Sequence, residues 1–359
     1  MGANSRLGYR PGLDGLRAIA VLTVVLFHYG APVRGGWLGV NLFFVISGFL
    51  ITRLLLDEHE HDGRIDLRAF YQRRAARLLP LMYGAVALFL AIGFVVPAAD
   101  RGADVRGAVA GLLYVANLDR YLGWSSGGMF GHLWSLSLEE QFYACWPLAL
   151  LWLLGRGHRA RLARIATAVS LAVFTLVAVR TLVAFDVDAI YNGIEGQGSG
   201  FLFAGCAMGA ATGRRIPSGP AVAGGAAVIS AGFLLADYTA PATYLLLPLV
   251  VVAMVPVIDA AAADGRIARV LGCSVLRHVG RLSYGIYLIH SNVRILLIRA
   301  TGGAGPALSV VAFVLTLALA EVSFRYLEQP LRRRLSPNRP RPGGRADVGE
   351  SQPAMAGGG

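Results

Sequence analysis

Apolar runs recur along nearly the whole chain, at residues 13–32, 37–56, 80–98, 139–155, 164–185, 199–213, 218–237, 241–260, 281–299 and 306–327. A helix needs roughly 20 apolar residues to cross a bilayer, and most of these runs approach that length. The pattern predicts an all-α, polytopic membrane bundle of about ten transmembrane helices. An eleventh stretch, 104–118, is ambiguous, and the arginines between the runs resolve it. Arg6 and Arg10 precede the first run, five arginines fill the loop after the second, and clusters follow the fourth, sixth, eighth and tenth. If 104–118 crossed alone, every later cluster would fall outside. If it does not cross alone, all fall on the cytoplasmic side, as the positive-inside rule requires. The expectation is therefore a multi-pass protein of the cytoplasmic membrane with both termini cytoplasmic, and residues 99–138 as an outer segment that partly re-enters the membrane. Residues 1–10 form a cytoplasmic N-terminal segment, 11–335 the membrane domain, and the Pro/Arg/Gly-rich stretch 336–359 a disordered cytoplasmic tail.

Composition agrees with this picture. Of 359 residues, 55% are hydrophobic and 15% charged, against about 25% charged in soluble domains, and mean hydropathy is +0.58. The net charge of +12 does not point to nucleic acid. All 33 basic residues are arginine, and most stand at the ends of apolar runs. Cys145, Cys206 and Cys273 lie far apart inside apolar segments, so neither a disulfide framework nor a metal site is expected.

The first run carries polar residues that lipid would not favour. In "RPGLDGLRAIAVLTVVLFHYG", Asp14 and Arg17 stand at the entrance and His28 near the far end. Eleven helical residues return to within about 20° of the start, so Arg17 and His28 share a face, roughly 16 Å apart. Aligned polar groups of this kind face a cavity inside the bundle, or else Arg17 snorkels to the headgroups and Asp14 complements the helix N-terminus. His28 is either held by a neighbouring helix or free to act as a general base.

Further stretches carry chemistry: "GVNLFFVISGFLIT" (39–52), "FYQRRAARLLP" (70–80) with Arg74 and Arg77 one turn apart, "HLWSLSLEEQFYACWP" (132–147), "LSYGIYLIH" (282–290) and "RYLEQP" (325–330). Together with the R-x10-H spacing of Arg17 and His28, their order resembles the acyltransferase-3 family of integral membrane O-acyltransferases. The resemblance implies transfer of an acyl group, acetyl above all, from acyl-CoA to a hydroxyl of a carbohydrate or glycosylated metabolite, with no permanently bound cofactor. It brings Arg17, Arg74 and Arg77 forward as the site for the phosphates of acyl-CoA, and arginine suits bidentate phosphate binding. Contact with anionic membrane lipids is the alternative for Arg74 and Arg77. His28 becomes the general base, with Asp14 and Arg17 at the other end of a polar track and Glu139 in support. His132, Trp134, Glu140 and Tyr284 are candidate acceptor contacts, and Tyr287 and His290 candidate cavity residues.

Other residues carry less. Ser47 lacks the G-x-S-x-G context of a nucleophile, and Ser47 with Gly48 reads as close helix packing. Glu321 and Arg325 are spaced to pair with each other, and Glu195 and Gln197 read as a solvated loop. The acceptor remains open between a surface glycan and a macrolide-type metabolite. A glycan or lipid transporter is the competing class, against which the absence of repeated halves counts.

Overall fold

The computed structural model describes residues 8–97, 100–118, 128–187, 190, 196–211 and 217–331. The described residues are all-helical. Thirteen helices follow in chain order: α1 (Pro11–His28), α2 (Leu38–Asp62), α3 (Leu67–Val95), α4 (Arg101–Leu112), α5 (Trp134–Gly155), α6 (Leu162–Val183), α7 (Gln197–Ala210), α8 (Gly219–Leu235), α9 (Pro241–Leu245), α10 (Leu247–Ala262), α11 (Arg266–Leu271), α12 (Ser274–Thr301) and α13 (Pro306–Ser323). Five are long and apolar enough to cross a membrane: α1, α2, α3, the helix through α6 and the helix through α13. Together with the exposed leucines and valines along α6, α10 and α13, these make the chain a multi-pass membrane protein.

Some boundaries differ from the sequence expectation for local reasons. The run 241–260 divides into α9 and α10, each with a proline in its first turn, where the missing N–H costs nothing. The stretch 104–118 lies in α4, whose 12 residues rise only about 18 Å, followed by a 3₁₀ turn at Ala116–Leu118. Gln197, expected in a solvated loop, opens α7 instead, fully buried with its amide oxygen accepting from Asn41 Nδ2 at 3.2 Å. Glu195, residues 1–7 and the tail 336–359 lie outside the described residues.

Small residues set the packing. α2 packs most closely on α7: a Cβ on Gly48 would run into the carbonyl of Leu202, and one on Gly205 into that of Val45. Small residues let membrane helices approach closely enough to gain dispersion contacts where no hydrophobic force favours association. α1 meets α12 in the same way, with Gly280 against the Asp14 carbonyl. α1 is thus held between α2 and α12, and α12 in turn packs on α13. One side of α1, facing α2, α5 and α12, is where the polar residues collect.

Candidate active site

The bundle has an arginine end, where α1 and α12 begin, and a histidine end, where α1 finishes. Three connected spaces run between them. At the arginine end lies a basin of about 460 Å³, whose lining includes Asp14, Arg17, Arg74, Arg77 and Arg281. A constriction of about 50 Å³ follows, lined by Arg17, Ser47, Glu139, Ser283 and Tyr287. At the histidine end a pocket of about 420 Å³ is lined by His28, His132, Trp134, Tyr238 and Tyr287. Basin and constriction share Arg17 and Ser47, and constriction and pocket share Val40 and Tyr287, so the three spaces adjoin one another along α1. The shared helical face of Asp14, Arg17 and His28 opens onto this track along its length.

Each end has its own chemistry. In the constriction, Arg17 Nε and Nη2 both donate to Ser283 Oγ at 3.2 Å. No described carboxylate pairs with it. Glu139 Oε1 accepts from the Ser47 hydroxyl and from Tyr143 Oη at 2.6 Å. The first of these bonds is short. Ser47 thus turns its hydroxyl to Glu139 in the constriction, while Gly48 makes the close contact with α7. Tyr287 Oη bridges to the Ser135 hydroxyl at 2.5 Å and the His132 carbonyl at 3.1 Å.

At the histidine end three imidazoles cluster. The ring of His290 lies 4.9 Å from that of His28 and 5.3 Å from that of His132, both edge-on. His28 Nδ1 sits 2.9 Å from the Val24 carbonyl. A carbonyl only accepts, so Nδ1 carries the hydrogen and Nε2 keeps its lone pair, the tautomer a general base needs. His290 Nδ1 likewise donates to the Tyr287 carbonyl at 2.6 Å, and its buried Nε2 has no hydrogen-bond partner among the described residues. The 3₁₀ turn Gly128–Leu133 carries His132. It is pinned by Asp104, which accepts from Met129 N at 2.9 Å and pairs with Arg299 at 2.6 Å. Gly128 takes a φ of +49° there, and a Cβ on it would crowd the Asp104 carboxylate.

The structure redistributes several candidates. Arg74, expected to be a phosphate ligand, makes a two-pronged ion pair with Glu140 at 2.7 and 3.2 Å and lies 3.0 Å over the Tyr143 ring. Glu140, expected beside the acceptor, is committed to that pair, because a helix turns neighbouring residues about 100° apart and sends Glu139 and Glu140 to different sides of α5. Glu139 does not orient His28; it belongs to the constriction. Tyr284 donates to the Leu78 carbonyl at 3.1 Å and borders the constriction rather than the histidine pocket. Arg77 stays in the basin, and His132 and Trp134 stay with His28. Glu321 pairs with Arg325 as their spacing requires, and also accepts from His278 at 2.7 Å. Sequence reasoning missed Tyr143, although it stands four residues after Glu139, where helical side chains meet. It also missed Ser283, which begins a stripe continued by Tyr287 and His290. Among the described residues no group of His, Cys, Asp and Glu fits a metal ion.

The chain matches the family described as "Acyltransferase domain" over residues 10–323. It is similar to the provisionally named peptidoglycan O-acetyltransferase YrhL of Bacillus subtilis (strain 168), at 33% identity over 90% of this chain and 55% of that protein. It is also similar to O-acetyltransferase OatA of Staphylococcus aureus (strain NCTC 8325 / PS 47), at 29% identity over 91% of this chain and 58% of that protein. Peptidoglycan O-acetyltransferase OatA of Listeria monocytogenes (strain ATCC BAA-679 / EGD-e) is 28% identical over 90% of this chain and 56% of that protein. The chain thus spans a little over half the length of the curated relatives it matches. No solved structure matches it.

Proposed function

This chain belongs to that acyltransferase family, and on that premise we propose that it moves an acetyl group from acetyl-CoA to a hydroxyl of a cell-surface glycan, with peptidoglycan, named for its relatives, the first acceptor to test. The observation that carries this reading is the row of adjoining spaces along α1, from an arginine-lined basin to a histidine-lined pocket. Arg10, at the start of α1, and His28, at its end, are separated by about 27 Å of helix. A donor that anchors phosphates at one end and reacts at the other must have a long arm, and CoA has one.

In this reading the pantetheine arm lies along α1 past Arg17 and through the constriction. The acceptor enters from the histidine end, against Trp134. His28 Nε2 takes the proton from the acceptor hydroxyl as its oxygen attacks the thioester carbonyl. The carbon–sulfur bond breaks, and the proton passes to the departing thiolate, giving the acetyl ester and free CoA. Arg17 supplies positive charge along the donor's path, roughly 16 Å of helix from His28, and Glu139 keeps the constriction polar. Arg77 meets the donor's phosphates. The arginine end faces the cytoplasm, where CoA resides, with about ten spans and both termini on that side.

Membrane vesicles of known sidedness test function and orientation together. Inside-out vesicles given radiolabelled acetyl-CoA and peptidoglycan fragments should form alkali-labile acetyl esters, and sealed right-side-out vesicles given external acetyl-CoA should not. Acceptor crossing the membrane unmodified, with no ester formed, would overturn the enzyme reading. Equal use of external acetyl-CoA by both preparations would overturn the orientation.

A further inference from the structure

The mouth of the arginine basin holds groups that neither the sequence motifs nor the proposed mechanism employs. Tyr9 precedes α1 and is 65% exposed at this mouth, yet its side chain is not free to swing. Its hydroxyl donates to Asp14 Oδ2 at 2.7 Å, which tethers the ring at the mouth. Arg277 and Arg281 of α12 stand close enough to act electrostatically on its phenol. Arg281 and Tyr9 both line the basin. Of the basin's arginines, Arg74 is committed to Glu140 and Arg10 to Asp264 at 2.9 Å. Arg281 touches only His278 Nδ1, at a long 3.4 Å. An exposed aromatic ring tethered at the mouth, with guanidinium groups close by, is the chemistry that receives a purine ring and a phosphate together.

Resting on the acyl-CoA reading, we propose that Tyr9 and Arg281 form a subsite for the nucleotide end of the donor, with the adenine on the Tyr9 ring and the 3′-phosphate on Arg281. The placement follows from length. Tyr9 lies at the far end of the track from His28, so a donor whose thioester reaches the histidines leaves its nucleotide at this mouth. Arg17 lines both the basin and the constriction beyond it, which places it nearer the diphosphate than the nucleotide. The subsite makes the enzyme selective for the full coenzyme over shorter thioesters and over coenzyme lacking the 3′-phosphate.

Donor kinetics in purified membranes test this with three thioesters: acetyl-CoA, acetyl-dephospho-CoA, which lacks the 3′-phosphate, and acetyl-pantetheine, which lacks the nucleotide. The unaltered protein should show KM for acetyl-dephospho-CoA about tenfold or more above that for acetyl-CoA, the scale of one hydrogen bond to a charged group. Arg281→Gln should raise the acetyl-CoA KM to the dephospho value and abolish the difference. Tyr9→Leu should raise KM for both nucleotide donors several-fold and leave that for acetyl-pantetheine in place, which also shows that the variant is folded. If Arg281→Gln preserves the ratio between the two nucleotide donors, or Tyr9→Leu affects acetyl-pantetheine as much as acetyl-CoA, the subsite is overturned. If the unaltered protein uses all three donors equally, no nucleotide subsite exists. Failure of all three donors in the unaltered protein would instead overturn the acyl-CoA reading beneath it.

Discussion

The two ends of the track are of similar size, near 460 and 420 Å³, and nearly opposite in chemistry. The basin is walled by guanidinium groups, while the pocket is walled by aromatic rings and imidazoles, with no arginine among its lining residues. Permanent charge suits a polyanion that must be held. Neutral rings suit an uncharged sugar, whose faces stack and whose hydroxyls need a base with a lone pair. The difference teaches that one helix, α1, supplies both: Asp14 and Arg17 to one end and His28 to the other. Its sequence is a compressed plan of the site.

Five substitutions probe this division. The largest effect belongs to His28. General-base catalysis is worth roughly 10²–10⁴ in rate, or about 3–5 kcal/mol of barrier. His28→Gln keeps hydrogen bonding but cannot take the proton, so turnover should fall by that factor while CoA still binds. Near-normal turnover would move the base elsewhere, with Glu139 the next to test. Arg74 comes second and separates fold from chemistry. The Arg74 and Glu140 side chains are 18% and 20% exposed, so removing one member leaves a largely desolvated charge unpaired; Arg74→Gln should lower the unfolding temperature in detergent, and Glu140→Gln should do the same. A stable Arg74→Gln protein with only a raised KM for acetyl-CoA would restore Arg74 as a phosphate ligand.

The remaining two substitutions sharpen the comparison directly. Arg77→Gln should raise KM for acetyl-CoA about tenfold or more, since a hydrogen bond to a charged group contributes about 1.5–3 kcal/mol, and leave KM for the acceptor unchanged. Trp134→Ala should do the reverse and more weakly, raising acceptor KM several-fold for the loss of about 0.5–1.5 kcal/mol of ring contact. Either variant shifting both constants equally would show that the ends are not independent.

The sequence reveals the helices because long apolar runs permit little else in a bilayer, and it reveals the α1 track because residues on one helix are related by a fixed 100° turn. What it hides lies between helices. Arg74 and Glu140 are 66 positions apart, and nothing in "FYQRRAARLLP" shows which of its arginines makes the two-pronged pair with that carboxylate. The histidine cluster draws one imidazole each from α1, the 3₁₀ turn before α5, and α12. Only tertiary packing, with Gly280 allowing α12 to lie against α1, brings them together. Gln197 was misplaced for the same reason. A Gly-rich stretch reads as a loop until a neighbouring helix needs the close approach that glycine permits.

The constriction between the two ends also bears on electrical insulation. The space beside Ser47 and Glu139, about 50 Å³, is roughly a ninth of that in the basin, so it admits a few waters at most. Each charge that leaked across a membrane at 100 mV would dissipate about 2.3 kcal/mol. In the proposed orientation the two spaces open on opposite faces, and only the few side chains of the constriction stand between them. Those side chains must part to admit the arm of a bound donor, which then takes their place as the barrier.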